Sequence, residues 1–155
     1  MAADRSEKRE IVFTGFGGQG IVLIGSIVGR AAAIGDHRES TLVQSYGPES
    51  RGGFCSAQVI VSPDPIHYPY VRRPDILVAM SQSGFEKFAG AAEAGTLLLI
   101  DLDLVKPVDC TLECYGIPAT RMAEEMGRKM IANIVMLGFF ASVAKAISRK
   151  AAEDA

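Results

Sequence analysis

Tryptophan is absent from this 155-residue sequence, and histidine occurs only as His37 and His67. Both histidines fall in turn-like surroundings far from each other and read as solvated surface groups. No nucleophile, base and orienter recur in a suggestive arrangement, so the chain does not read as a complete catalyst. Cysteine is scarce and odd in number. Cys55, Cys110 and Cys114 contain no CxxC, which excludes a disulfide framework and fits a reducing cytoplasm. Cys110 and Cys114, four positions apart across a short strand, lack a cluster-binding pattern such as CxxCxxC and read as small buried or edge residues. Positive charge is not in surplus: 16 Lys and Arg stand against 18 Asp and Glu, a formal net charge of −2. With a pI near 5.7, the chain projects no broad positive field, and nucleic acid is not an expected partner. Membrane spans are not expected either, because no apolar run reaches the roughly 18 residues that one needs. The polar stretch 1–10 carries no leader pattern.

What is present is a 48% hydrophobic chain about one domain long, a size that buries roughly 70% of its unfolded surface. A single domain over 1–155 is expected, with the polar start 1–9 disordered. Residues 10–14 (EIVFT) form a β-rich run that ends at glycines, and 21–34 carries apolar residues at helical spacing that Gly35 would close. A short apolar piece at 41–43 is followed, after the interruption SYGPESRGG, by a strand at 56–62 (SAQVIVS). Pro63, Pro65, Pro69 and Pro74 mark an extended surface crossing into a buried parallel strand at 75–80 (DILVAM). A short helix is expected at 83–91, strands at 96–100 and 111–115, a helical region at 119–126, and one long closing helix at 133–148. Strands alternating with helices predict an α/β fold with a mainly parallel sheet.

In the loop TGFGGQGI, Gly15, Gly17 and Gly20 satisfy GxGxxG between a strand and a helix, and Gly18 adds further backbone freedom. Such a loop offers backbone N–H groups and the positive end of a helix dipole to an anion. Ordinary dinucleotide binding also needs an acidic residue at the end of the second strand. That strand runs to about Gln44-Ser45-Tyr46, while Asp36 falls in a helix-ending turn, so the ribose clamp is missing. Gln19 can either present its amide to a ligand or neighbouring subunit, or hydrogen-bond the loop itself.

In Ser45-Tyr46-Gly47-Pro48-Glu49-Ser50-Arg51-Gly52-Gly53, Pro48 fixes a turn and the glycines clear space for a backbone or ligand. Glu49 and Arg51 either pair with each other on a tight surface loop or face an anionic ligand or partner protein, a use suited to the rigid Arg fork. Met80, Ser81 and Gln82 follow a strand directly and reach the same carboxyl-end crevice, although a Met there also suits the core. Asp101 and Asp103, at the end of TLLLI, read as a solvated turn rather than a ligand site. In the closing helix, Ala132, Gly138, Ala141 and Ala144 allow close helix approach. Phe139 and Phe140 point in different directions, leaving one exposed unless a partner covers it.

The blocks GFGGQGI, QSYGPESRGG, RRPDILVAMSQSGFEKF, and YGIPATRMAEEMG with ANIVMLG, in that order over about 11–146, resemble the gamma subunit of 2-oxoacid:ferredoxin oxidoreductases, most closely the 2-oxoglutarate type. The resemblance implies an α/β, Rossmann-like three-layer fold with a mainly parallel sheet, and a non-autonomous oxidoreductase subunit. Coenzyme-A-dependent oxidative decarboxylation would then use thiamine diphosphate and magnesium on partner subunits, with iron–sulfur clusters passing electrons to ferredoxin. The implied partners are the alpha, beta and ferredoxin-like subunits of a cytoplasmic complex. No cofactor and no catalytic residue is assigned to this chain. Its candidate ligand or subunit-contact positions are Gly15, Gly17, Gly18, Gln19 and Gly20, with Ser45, Tyr46, Gly47, Glu49, Arg51, Gly52 and Gly53. Members of that family commonly continue past the final helix, so a C-terminus extending beyond Ala155 is an expectation. Arg128 stands where the family often has a small or amide residue. Alternative readings are a free-standing nucleotide-binding protein, and a related subunit for indolepyruvate or pyruvate.

Overall fold

The computed structural model describes residues 7–48, 53–108 and 110–155. The strands are β1 (Arg9–Phe16), β2 (Glu39–Tyr46), β3 (Phe54–Ser62), β4 (Ile76–Ala79), β5 (Leu97–Asp101) and β6 (Glu113–Ile117). The helices are α1 (Ile21–Arg30), α2 (Gln82–Ala89), α3 (Ala119–Glu125), α4 (Ala132–Val143) and α5 (Arg149–Asp154). The short apolar piece at 41–43 belongs to an eight-residue strand.

The strands form one sheet in the order β2-β3-β1-β4-β5-β6. β1, β4, β5 and β6 run parallel to one another, and β3 runs antiparallel to both β1 and β2. Antiparallel neighbours can be joined by a short connection; here Gly47 N–H donates to the Phe54 carbonyl at 2.8 Å and closes the β2–β3 ladder. The α1 crossover therefore reaches β2 one strand beyond β1, with β3 filling the gap.

Period-two alternation divides the sheet between two cores. Ile11, Phe13, Ala57, Val59, Ile76 and Val78 face α1 and α4, whereas Val12, Leu77, Ala79, Leu98 and Ile100 face Phe85 of α2 and Val105. α1 and α2 thus lie on opposite faces. The connection from β1 leaves toward one edge of the sheet and that from β4 toward the other. The crevice at the carboxyl ends of β1 and β4 is therefore the topological switch point, where open α/β sheets gather ligands.

Two expected helices differ in detail. The helix expected over 21–34 is α-helical to Arg30 and then widens into a π turn over Ala31–Gly35, with Asp36 N–H donating to the Ala31 carbonyl at 2.9 Å. Gly35 serves close packing there: a Cβ would lie 2.4 Å from that of Ala151. The closing helix expected over 133–148 ends at Val143, and a separate short helix, α5, follows from Arg149. Lys145 takes a left-handed φ of 55°, Arg38 Nη1 donates to the Ala146 carbonyl at 3.0 Å, and Ser148 N–H donates to Asp36 Oδ2 at 2.8 Å. These side chains hold backbone groups that a continuous helix would have used, and Ser148 Oγ then caps α5. Gly138 does not admit a neighbouring helix, because a Cβ there would meet nothing within 4 Å. Of the phenylalanine pair, Phe140 is buried and Phe139 half-buried. No helix among the described residues is long and apolar enough to cross a membrane.

Candidate functional site

The loop from β1 to α1 is shaped by its glycines. Gly18 and Gly20 adopt positive φ, 94° and 75°, which residues with a Cβ rarely tolerate. Gly15 has no room for a side chain, since a Cβ would stand 2.3 Å from Gln19 Oε1 and 2.7 Å from Ile21 Cδ1. α1 begins at Gly20 with no side-chain cap and no acidic residue in its first turn, so the positive end of its dipole is left to the loop.

Gln19 works inside the protein. Its Oε1 accepts from Phe16 N–H at 2.6 Å, and its Nε2 donates to the Met80 carbonyl at 2.9 Å. The amide thus spans the switch-point crevice from β1 to the end of β4. The same side chain would obstruct a ligand entering between the two strands.

The two glycine segments meet. Gly17 N–H donates to the Gly53 carbonyl at 2.8 Å, and the register places both Gly15 and Tyr46 opposite Cys55, and both Thr14 and Ser45 opposite Ser56. Ser45 and Tyr46 are exposed at the end of β2, Gly17 and Gly18 are exposed in the loop, and Gly53 is buried. Glu49, Arg51 and Gly52 lie outside the described residues, as does Ser50.

Other carboxyl-end residues have internal tasks. Met80 is buried; Ser81 Oγ accepts from Gly84 N–H at 3.0 Å and caps α2. Both amide atoms of Gln82 bond the backbone of Lys106. Asp101, expected in a solvated turn, is completely buried. Its Oδ2 accepts from Thr120 N–H and Oγ1 at 3.1 and 2.6 Å, and its Oδ1 from Asp103 N–H at 3.0 Å. It orders the entry to α3, and only Asp103 is exposed. Both histidines are exposed.

Asn133 was not legible as a site residue. Buried at the start of α4, it directs Nδ2 to the Gly20 carbonyl at 3.5 Å, and a Cβ on Gly20 would lie 2.2 Å from that nitrogen. The ANIVMLG block contains it, but nothing local indicates a contact 113 residues away.

Cys55 is buried, Cys110 half-buried and Cys114 exposed. Burial raises the Cys55 thiol pKa; burial first, and then Cys110, raises that of Cys114. Among the described residues no three His, Cys, Asp or Glu side chains converge to hold a metal ion. Three thiols spread in this way do not fit a four-thiolate iron–sulfur cluster.

Fold and site together define a Rossmann-like α/β domain with an uncapped helix N-terminus behind a glycine loop whose crevice is bridged by a glutamine. The model of the pyruvate ferredoxin/flavodoxin oxidoreductase family matches residues 10–155, and the chain belongs to that family. It is 45% identical over 154 residues to the 2-oxoglutarate synthase subunit KorC of Methanocaldococcus jannaschii, covering 96% of this chain and 81% of the relative. The structure of the keto/oxoacid ferredoxin oxidoreductase gamma subunit from Geobacter sulfurreducens superposes with a TM-score of 0.82 at 36% identity, covering 94% of this chain and 83% of that one. The 2-oxoglutarate:ferredoxin oxidoreductase of Magnetococcus marinus, with 2-oxoglutarate, coenzyme A and succinyl-CoA bound, shares the fold. Its TM-score is 0.87 at 23% identity, over 96% of this chain and 26% of that one.

Proposed function

We propose that this chain is the gamma subunit of a 2-oxoglutarate:ferredoxin oxidoreductase and supports coenzyme-A-dependent oxidative decarboxylation within a complex. The observation that carries the reading is the likeness to a subunit named for 2-oxoglutarate synthase, which spans nearly all of this chain and most of the relative. The site supports it. Backbone N–H groups and the positive end of α1 suit the phosphates of coenzyme A, and the bridged crevice and missing ribose acid disfavour NAD. Thiamine diphosphate, magnesium and iron–sulfur clusters belong on the alpha, beta and ferredoxin-like partners, with ferredoxin as acceptor. This chain's own contribution is to shape and orient the coenzyme-A-facing surface. Cytoplasmic residence fits its unpaired thiols.

Native-level co-purification tests the reading, with the eluate assayed for coenzyme-A-dependent reduction of a viologen dye by 2-oxoglutarate, pyruvate and indolepyruvate in turn. Larger subunits and activity with 2-oxoglutarate are expected. A preference for either other acid would move the substrate, and a lone inactive chain would overturn the assignment. The GxGxxG geometry favours one rival, a free-standing nucleotide-binding module. That reading predicts stabilisation of the purified chain by NAD or FAD and none by coenzyme A.

A further inference from the structure

We propose that the cleft at the amino-terminal ends of the parallel strands binds a small ω-amino acid, with Arg9 taking its carboxylate and Glu113 its ammonium. This goes beyond the proposed function and stands on a different part of the molecule, the end of the sheet opposite the glycine loop. The cleft measures about 410 Å³ and lies between the sheet and the end of α4, at Val143 and Ala144. Its floor follows from the register. Ile76 pairs with Leu97, and Leu97 with Glu113, so the three share the face that α4 covers. Arg9 is on the same face, two residues before Ile11 on β1, and Ile11 pairs with Ile76. A row thus runs from a cation on β1, over apolar side chains of β4 and β5, to an acid on β6. Adjacent strands lie about 4.8 Å apart, which separates β1 from β6 by roughly 14 Å before either side chain reaches inward.

The charges decide the class of ligand. Arg9 Nη2 lies 3.6 Å from Glu7 Oε2, but its Nε is buried and has no acceptor among the described residues. A buried donor in that state calls for an acceptor, and a carboxylate matches a guanidinium best. At the far end Tyr115 O–H donates to Glu113 Oε1 at 2.7 Å. That bond holds the carboxylate at the cleft wall and leaves Oε2 for an ammonium. Asp75 and Lys145 also line the cleft, and Asp75 Oδ2 accepts from Glu10 N–H at 2.7 Å. With two cations and two carboxylates around it, a ligand of one sign meets like charge. A ligand carrying both charges, joined by methylenes lying over Ile76 and Leu97, finds a partner for each part.

The probe is ε-aminocaproate, titrated calorimetrically at low ionic strength into the purified 155-residue chain, with caproate and hexylamine as single-charge controls. Saturable binding about tenfold tighter than either control is expected, because each control forfeits one charge-assisted contact. The variants should give a crossed pattern. Glu113→Gln should weaken ε-aminocaproate about tenfold to the level of caproate, whose own binding stays unchanged. Arg9→Gln should weaken it about as much, to the level of hexylamine. The comparison of the three probes on wild-type protein needs no variant to fold. No saturable binding of ε-aminocaproate, a single-charge control that binds as tightly, or variant losses that fall equally on both controls would overturn the proposal.

Discussion

Phe13 of β1 and Phe140 of α4 meet edge to face, with ring centroids 5.1 Å apart and planes at 64°. Both are completely buried, and the contact fastens the last long helix to the strand that leads into the glycine loop. Phe140→Ala removes an aromatic ring from a filled core and should cost about 3–5 kcal/mol. Thermal unfolding of the purified chain checks it. Phe139→Ala, at a half-buried position, should shift the midpoint much less.

Gly84 and Gly90 lie in and just after one helix and should respond oppositely to alanine. A Cβ at Gly84 would lie 2.4 Å from Thr14 Oγ1 and 2.8 Å from Ser81 Oγ, so Gly84→Ala pushes α2 off β1 and disturbs its cap. A loss of about 1–3 kcal/mol is expected. Gly90 has helical φ and ψ of −70° and −22° and open space around a Cβ. Gly90→Ala should stabilise by about 0.4–1 kcal/mol through the unfolded chain. Parallel urea titrations distinguish the two signs.

Glu10 holds its proton more tightly when folded. Burial is the main cause, with Asp75 adding to it and Lys8 and Arg72 opposing. A carboxyl whose pKa rises on folding binds more protons in the native state. Stability from this group therefore falls as pH rises from the ordinary carboxylate range through the raised native value. Glu10→Gln should flatten that part of the stability profile and leave the protein at least as stable at neutral pH. Denaturant midpoints collected from acid to neutral pH measure this, and a steeper slope in the variant would contradict it.

Cys114 is exposed, yet its thiol titrates above the usual range through burial of the group and proximity to Cys110. Thiolate is the reactive form, so iodoacetamide should label Cys114 more slowly at pH 8 than it labels a small-molecule thiol. The rate should catch up only at higher pH. Cys110→Ala should recover part of the rate, since burial is the larger cause. Cys55, buried in the core, should label only on unfolding, which peptide mapping can show.

The strands were legible because burial leaves a local signature. The runs EIVFT, SAQVIVS, DILVAM and TLLLI became β1, β3, β4 and β5 within a few residues, since a strand covered on both faces is mostly apolar along its length. The turn residues were legible for a similar reason: positive φ at Gly18 and Gly20 is a property of the residue itself. β2 was harder to see, because an edge strand with polar and exposed positions carries little pattern beyond its Leu42 and Val43.

By itself, then, the sequence determined the α/β class, the glycine loop between β1 and α1, and, through four blocks in fixed order, the family. These are matters of local propensity, burial pattern and residue identity. Tertiary structure alone decided that β3 enters between β1 and β2, that Asp36 and Arg38 break the closing helix, and that Asp101 is buried. It also decided the choice left open for Gln19, whose amide closes the loop. Each of these is set by a hydrogen bond or ladder whose partner lies outside the local segment, 19 residues away for Asp101 with Thr120, 61 for Gln19 with Met80 and 112 for Asp36 with Ser148. A polar side chain of this kind takes whichever partner the fold brings within about 3 Å when both are withdrawn from water, and only the assembled sheet determines which partner that is.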